Sequence, residues 1–231
     1  MTQLPAFIAF TGVDRPQLLS GMKALSAQYP IEWGILVDDT QSHKQLFPTE
    51  EQRSEMLCAG GLRWAAHVCG GAAKQIVNSP ENASVDVTGF QRIQINHTFL
   101  GSEESHIENA FRFGRLKGVR TLLQCSGAFP NDPRVDWLFD VSFGTGAKPQ
   151  SWPGLPESGA FCGFSGGLNP QNVAEIIGRI GAKDGDLYWI DMESGIRTDG
   201  WLDLSKCEAV CRAVYGEGSA LLHASKTGTA G

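Results

Sequence analysis

The chain has 231 residues and a formal net charge of −6, and 42% of its residues are hydrophobic. The apolar fraction excludes a disordered chain, and the acidic balance argues against a surface built to bind the phosphate backbone of nucleic acid. No apolar run approaches the roughly 18 residues that span a bilayer, so we predict a cytoplasmic protein with neither nucleic-acid nor membrane partners.

Short apolar runs alternate along the chain with segments of helical period. The predicted strands cover residues 6–10, 32–37, 64–68, 92–95, 121–124, 137–141, 160–164 and 187–190. The predicted helices cover residues 16–28, 49–59, 71–78, 103–116, 171–180 and 204–214. Thr49 and Ser102 are the expected N-caps of the second and fourth helices, and Gln52 completes a capping box with Thr49.

Eight continuously apolar strands, most of them followed by a helix, predict a parallel sheet covered on its outer face. In a chain of this length they fit an α/β fold, the closed (β/α)8 or TIM barrel, as one domain over residues 1–215 with a polar tail over 216–231. An open doubly wound sheet is the alternative, but Gly12 stands alone where that fold places a G-x-G-x-x-G motif. Residues 125–136 are rich in Pro, Gly and Asn, so the fifth connection is expected to be irregular.

The six cysteines are scattered, with neither a C-x-x-C motif nor paired zinc spacing. Cys207 and Cys211 are expected to be buried thiols on one helix face, because disulfides are rare in the cytosol. A divalent metal would have to bind four scattered side chains, Asp38, Asp39, His67 and His97. No compact ligand motif supports such a site, and we expect neither a metal nor a cofactor.

In a barrel of this kind, chemistry belongs at the carboxyl ends of the strands, where the loops converge. The polar residues predicted there are Thr11, Asp14, Asp38, Asp39, Cys69, Asn96, His97, Gln124, Cys125, Asp140, Ser165, Asp191, Glu193 and Ser194. Lysine is nearly absent from these ends, which disfavours a Schiff-base mechanism.

The last two loops predict an anion site. The glycine pair in Ser165-Gly166-Gly167 exposes backbone N–H groups, and Asn169-Pro170 after it is typical of a helix start, whose amino end attracts anions. A phosphate would fit there. The alternative is that both glycines only turn the chain out of a strand.

Four segments form an ordered set along the predicted barrel: residues 9–12 at the end of the first strand, 138–146 at the sixth strand and its glycine loop, and 165–173 and 190–196 at the last two loops. This set resembles the corresponding segments of the phosphoribosylanthranilate isomerase family. The resemblance implies a barrel that converts an aminoaldose into an aminoketose in the tryptophan pathway by an Amadori rearrangement without a cofactor. It also implies that Asp140 is the general acid. The phosphate-binding residues are then Gly144, Gly146, Ser165, Gly166, Gly167, Ser194 and Gly195.

Two positions depart from the family pattern. Thr11 stands where the family has a cysteine, and a threonine hydroxyl cannot act as a base near neutral pH. Leu46 stands where the family has an arginine, and the nearest cation is Lys44. The candidates for a substitute base are Asp14, Asp38, Asp39 and Cys69. Each has a structural alternative, as an N-cap, a solvated acid pair or a buried small side chain.

Three hypotheses follow for function. In the first, the chain is an intramolecular isomerase acting on a small phosphorylated sugar derivative. In the second, it is an epimerase or lyase that shares only the phosphate-binding site with the family. In the third, it binds a phosphorylated metabolite without turnover. We expect the substrate to contact Asp38, Asp39, Lys44, Asn96, Gln124, Asp191 and Glu193. The low content of charged residues, 19%, also leaves room for a homodimer face.

Overall fold

Eight parallel strands close into a barrel in the computed structural model, which describes residues 2–98, 101–142, 145–157 and 159–217. The strands are β1 (Phe7–Thr11), β2 (Ile31–Val37), β3 (Trp64–Val68), β4 (Arg92–Ile95), β5 (Arg120–Cys125), β6 (Asp136–Phe139), β7 (Cys162–Phe164) and β8 (Tyr188–Met192). Each strand pairs with its neighbours in sequence, and β8 closes the barrel against β1. The predicted TIM barrel is confirmed.

Six helices cover the outside of the barrel in the described ranges. They are α1 (Leu19–Ser26), α2 (Glu50–Cys58), α3 (Gly70–Asn78), α4 (Glu104–Lys117), α5 (Val173–Ile180) and α6 (Leu204–Tyr215). A short hairpin of β9 (Arg197–Thr198) and β10 (Trp201–Leu202) lies between β8 and α6. Residues 126–135 contain no helix, as the composition of the fifth connection predicts.

The helix caps agree only in part with the sequence prediction. The Thr49–Gln52 capping box is present, with Thr49 N donating to Gln52 Oε1 at 2.9 Å. The prediction for Ser102 is wrong, because α4 begins one residue later and Glu103 is its N-cap. The backbone N–H of Glu103 donates to His106 Nδ1 at 3.2 Å, so Glu103 and His106 form the reciprocal pair at this end.

Large side chains fill the layer between the barrel and its helices, including the fully buried Trp33, Trp64 and Trp137. Cys207 and Cys211 pack in the same layer as free thiols, as predicted. None of the helices in the described part of the chain has the length and apolar character needed to cross a membrane.

Inside the barrel, the amino-terminal half is closed by a buried ion pair. Arg92 Nε donates to Glu32 Oε1 at 3.0 Å, and the Arg92 guanidinium lies 4.1 Å from the ring centroid of Trp189. Phe7 stacks against the same indole with ring centroids 6.0 Å apart. Among the described residues, this cluster of side chains fills the amino-terminal end of the barrel.

Candidate active site

A cavity of about 480 Å³ opens at the carboxyl ends of the strands. Ligand sites of small-molecule enzymes have volumes in this range. The predicted site residues that line it are Thr11, Cys69, Asn96, Gln124, Asp140, Gly146, Ser165, Gly166, Gly167, Asp191, Glu193 and Ser194. Three of these are acidic, and they extend from the sixth strand to the loop after the eighth.

Glycine backbone forms one side of the cavity. Gly166 has a φ of 116° and Gly167 a φ of 64°, values that favour glycine over residues with a side chain. A Cβ atom at Gly167 would lie 2.9 Å from Gly146 O, so these two loops touch through their backbones. Asn172 Nδ2 donates to Gly167 O at 2.9 Å and fixes the loop before α5 begins.

Gly195 belongs to the same wall but does not face the cavity. A Cβ atom there would lie 2.0 Å from Leu168 O, so the loop after β8 packs directly on the backbone of the loop after β7. Gly144, also predicted to bind phosphate, lies outside the described residues. The phosphate role of this wall remains a prediction.

Asp140 follows β6 directly and is buried. Its Oδ1 accepts hydrogen bonds from Ser142 N at 2.7 Å and from Ser142 Oγ at 2.8 Å. Its Oδ2 accepts from Gln124 Nε2 at 3.2 Å, on the neighbouring strand β5. Both carboxyl oxygens therefore accept hydrogen bonds, Oδ1 from a backbone N–H and Oδ2 from a side-chain amide. This arrangement suits an ionised carboxylate.

Asp191 lies on β8, next to the end of β1. Thr11 Oγ1 is 3.0 Å from Asp191 Oδ2 and 3.2 Å from Oδ1, and its hydroxyl donates to this carboxyl group. Burial raises the pKa of Asp191 to about 8, repulsion from Asp140 and Glu193 adds to the shift, and the Thr11 hydrogen bond opposes it. Asp191 therefore holds a proton at neutral pH.

His67 on β3 continues this chain of hydrogen bonds. Its Nε2 lies 3.4 Å from Thr11 Oγ1, and burial together with the charge of Arg92 lowers the pKa of His67 to about 3. The imidazole is neutral, so with the proton on Nε2 it donates to the threonine oxygen, whose own proton is directed to Asp191. His67 lines the cavity, although as a lone histidine on an apolar strand it is equally typical of a core position.

The pKa values of Cys69 and Glu193 are both raised. Burial raises the pKa of the Cys69 thiol, the charges of Asp38 and Glu193 raise it further, and a hydrogen bond from Asn96 opposes the shift. Burial also raises the pKa of Glu193, against the attraction of Arg197. Cys69 is thus a thiol rather than a thiolate, which weakens it as a base.

Besides Gly195, three predicted catalytic or substrate residues lie away from the cavity lining. Asp14 accepts from Leu202 N at 2.7 Å and pairs with Arg197 at 3.0 Å, beneath the β9–β10 hairpin. Lys44 lines a separate surface hollow. Asp38 accepts from Thr40 Oγ1 at 2.7 Å in the turn after β2.

The side chain of Asp39 is not among those the structure describes. No group of three or more His, Cys, Asp or Glu side chains in the described ranges is arranged to hold a metal ion.

Sequence reasoning missed the contact between Thr11 and Asp191. The two residues are 180 positions apart, and only the closure of the barrel by β1 and β8 brings them together. The available signal was the prediction of a closed barrel, which makes the first and last strands neighbours. Gln94 and Met192 line the cavity as well, and neither was among the predicted site residues.

The family model and the curated relative that match this chain carry the same family description. The model of the family described as "N-(5'phosphoribosyl)anthranilate (PRA) isomerase" matches residues 89–213. The N-(5'-phosphoribosyl)anthranilate isomerase of Lipomyces starkeyi is 39% identical over 80 residues, which are 34% of this chain and 32% of that protein. The aligned segment therefore spans about a third of that relative's length. Thr11 and Leu46 lie outside the range that the family model matches, and Asp140 and Asp191 lie inside it.

Two solved structures share the fold. N-(5'-phosphoribosyl)anthranilate isomerase from Pyrococcus furiosus is 16% identical with a TM-score of 0.59, over 90% of this chain and 98% of that chain. Monomers generated from the dimeric phosphoribosylanthranilate isomerase of Thermotoga maritima are 12% identical with a TM-score of 0.59, over 93% and 100% of the two chains. At these identities the likeness extends to the barrel architecture.

Proposed function

Because the chain belongs to the N-(5'-phosphoribosyl)anthranilate isomerase family, we propose that it isomerises a small phosphorylated sugar derivative by acid and base catalysis of the Amadori type. The observation that carries this proposal is the pair of carboxyl groups, Asp140 and Asp191, which face one cavity beside the glycine loops. Thr11 occupies the position of the missing cysteine and contributes a hydrogen bond rather than a base.

The proposed reaction needs one proton donor and one proton acceptor. The donor protonates the ring oxygen of the aminoaldose, the C1–O bond breaks, and the nitrogen lone pair forms a protonated Schiff base. The acceptor then removes the proton from C2, and the electron pair of that C–H bond forms an enolamine that tautomerises to the aminoketose. The rearrangement is internal, so it consumes no oxidant or reductant.

The surroundings of the two carboxyl groups support one assignment of the roles. Asp191 is the proton donor, because its raised pKa of about 8 keeps it protonated at neutral pH. Asp140 is the acceptor, because hydrogen-bond donors face both of its oxygens. The family resemblance implies that Asp140 is the general acid, and Asp191 was expected only to contact substrate. The proposal gives Asp191 the role of acid and Asp140 the role of base.

Turnover is tested with adducts of ribose 5-phosphate and aromatic amines, which condense without an enzyme. The proposal expects aminoketose phosphate to form in proportion to protein, measured by ¹³C NMR at C2. Binding of an adduct without any ketose would support the alternative hypothesis of a phosphometabolite-binding protein. Formation of a different product would support an epimerase or lyase.

The pH profile distinguishes the two possible roles of Asp191. As the acid, it must carry a proton, so kcat/KM is expected to be level below about pH 8 and to fall about tenfold per pH unit above it. A rate that instead rises through pH 8 would make Asp191 the base. Initial rates between pH 6 and 10, with the fold checked by circular dichroism, provide the measurement.

Replacement of Gly195 by alanine tests the proposed phosphate wall. The new Cβ would lie 2.0 Å from Leu168 O, so the two loops must move apart. We expect the Kd for inorganic phosphate to rise about tenfold or more, in line with the 1–3 kcal/mol cost of overpacking. Gly154→Ala is the matched control, because no atom lies within 4 Å of the Cβ position there. Unchanged phosphate affinity in a folded Gly195→Ala protein would remove this wall from the site.

A further inference from the structure

The His67 imidazole reaches across one strand of the barrel to Thr11. Thr11 lies on β1 and His67 on β3, and β2 separates the two strands in the barrel. Neighbouring strands lie about 4.8 Å apart, so the backbones of β1 and β3 are about 10 Å apart. His67 Nε2 lies only 3.4 Å from Thr11 Oγ1, and both side chains are buried. A contact this close requires that β2 leave space for it.

A glycine in β2 provides that space. Gly34 pairs with Thr11 in the register of β1 and β2. A Cβ atom on Gly34 would lie 2.8 Å from His67 Nε2 and 2.9 Å from Thr11 Oγ1, so it would press on both ends of the hydrogen bond. Gly34 does not have a positive φ, so its backbone does not require glycine. What glycine supplies here is the absence of a side chain.

The hydrogen bonds from His67 to Asp191 run in one direction. Burial and the charge of Arg92 lower the pKa of His67 to about 3, so the ring is neutral and has one N–H. With that proton on Nε2, His67 donates to Thr11 Oγ1, and the threonine hydroxyl donates to Asp191 Oδ2 at 3.0 Å. Each donor in such a chain strengthens the next. The proton of Asp191 itself is not used in the chain, and Asp191 lines the ligand cavity.

We infer that His67 is the positioning residue of the acid: its N–H holds the Thr11 hydroxyl toward Asp191, which leaves the Asp191 proton to the ligand. Gly34 keeps the path between the imidazole and the hydroxyl open. This inference rests on the proposed function, in which Asp191 is the proton donor, and it adds a residue that does not touch the reacting atoms.

The pKa of Asp191 is set by burial and by four groups that face it. They are Thr11, Arg92, Asp140 and Glu193. Burial raises this pKa most, the two acids raise it further, and the Thr11 hydrogen bond and the arginine charge lower it. Loss of the His67 donor weakens the Thr11 hydrogen bond, so we expect the pKa of Asp191 to rise.

Carbon NMR measures this effect without turnover. The ¹³C signal of the Asp191 carboxyl group, assigned by its absence in Asp191→Asn, is followed against pH in each variant. His67→Phe keeps a flat ring without an N–H, and we expect it to raise the pKa by about half a pH unit. His67→Gln keeps an amide N–H and should stay near the wild-type value. No rise in a folded His67→Phe protein would overturn the inference.

A double-mutant cycle separates positioning from packing. If His67 acts through the Thr11 hydroxyl, His67→Phe should shift the pKa of Asp191 in the wild type but not in Thr11→Val, which has no hydroxyl to position. A side chain that only fills space would change the burial of Asp191 equally in both backgrounds. Equal shifts would therefore overturn the inference.

Gly34→Ala breaks the contact without changing either partner. The new Cβ meets the ends of two side chains, which must separate, so we expect the same rise in the pKa of Asp191 as in His67→Phe. Gly178→Ala, on α5, is the control, because a Cβ atom there meets open space, and it should leave the pKa unchanged. Nitrogen-15 NMR of the wild type should show the proton of His67 on Nε2. A proton on Nδ1 would reverse the hydrogen bond and overturn the inference.

These measurements distinguish the inference from the proposed reaction. If the coupled pKa shifts are found and no adduct is isomerised, the proposed reaction fails and the positioning of Asp191 stands. If adducts are isomerised and the pKa does not respond to His67, the reaction stands and the inference fails. If both hold, the alkaline fall of kcat/KM should move to higher pH in His67→Phe by the same half unit.

Discussion

Asp191→Asn is expected to reduce kcat by about 10²- to 10⁴-fold, the usual contribution of a positioned acid or base. Asparagine retains the shape of the side chain and an oxygen that can accept the Thr11 hydroxyl, but it has no proton to give to the ring oxygen. Rates with the aniline adduct of ribose 5-phosphate measure the effect. Glu175→Gln, on the exposed side of α5, is the control and should leave the rate unchanged.

The same substitution is expected to stabilise the protein at high pH. Asp191 has a pKa of about 8 in the folded protein, against an ordinary value near 3.8, so the folded state holds a proton that the unfolded state has lost. Stability therefore falls as pH rises from about 4 to 8, and asparagine removes this dependence. We expect Asp191→Asn to have a higher Tm than the wild type at pH 9 and a similar Tm at pH 4. At pH 9 the increase in Tm should be about 2–4 °C for each kcal/mol of stability gained.

If Asp191→Asn loses activity and gains stability at high pH, the buried acid serves the reaction rather than the fold. A variant that keeps full turnover would remove Asp191 from the mechanism. A variant that melts below the wild type at pH 9 would show that the carboxyl group contributes to folding through its contacts instead.

Asp140→Asn is expected to abolish turnover to a similar extent while leaving phosphate binding nearly intact. The amide retains an oxygen that can accept from Ser142 N, so the loop after β6 should keep its conformation, but an amide cannot take the C2 proton. Steady-state rates and calorimetric titration of inorganic phosphate measure the two properties separately. An unchanged rate would contradict the proposed role.

Ser142→Ala provides the control for Asp140. It removes one hydroxyl donor to the carboxylate and leaves the backbone donor in place. We expect a loss in kcat of about 10- to 100-fold, because a hydrogen bond to a charged group contributes about 1.5–3 kcal/mol and the backbone donor remains. A loss as large as that of Asp140→Asn would indicate that the loop, rather than the carboxylate, sets the rate.

Local pattern was sufficient to predict the framework of the site. Apolar runs gave the eight strands, and the carboxyl ends of those strands placed Asp140 and Asp191 in one cavity. Thr11 and Leu46, where the resemblance implies a cysteine and an arginine, both line that cavity.

Long-range contacts account for what the sequence could not predict. Asp14 was a candidate base, but Leu202 N and Arg197, more than 180 residues away, bury its carboxylate under a hairpin that no pattern predicted. Asp191 was expected only to touch substrate. Its raised pKa comes from burial and from the charges of Asp140 and Glu193, against the hydrogen bond of Thr11 from the opposite end of the chain. Burial and pairing of this kind are properties of the closed barrel and not of any local segment.

Release of deuterium from C2 is the most direct test of acid and base isomerisation in this cavity. Ribose 5-phosphate labelled with deuterium at C2 is condensed with aniline, and the isotope entering solvent is followed by ²H NMR with the wild type, Asp140→Asn and Asp191→Asn. The account predicts release that is proportional to wild-type protein and slower by about 10²-fold or more with both variants. Release that continues in both variants, or none with a wild-type protein that binds the adduct, would contradict it.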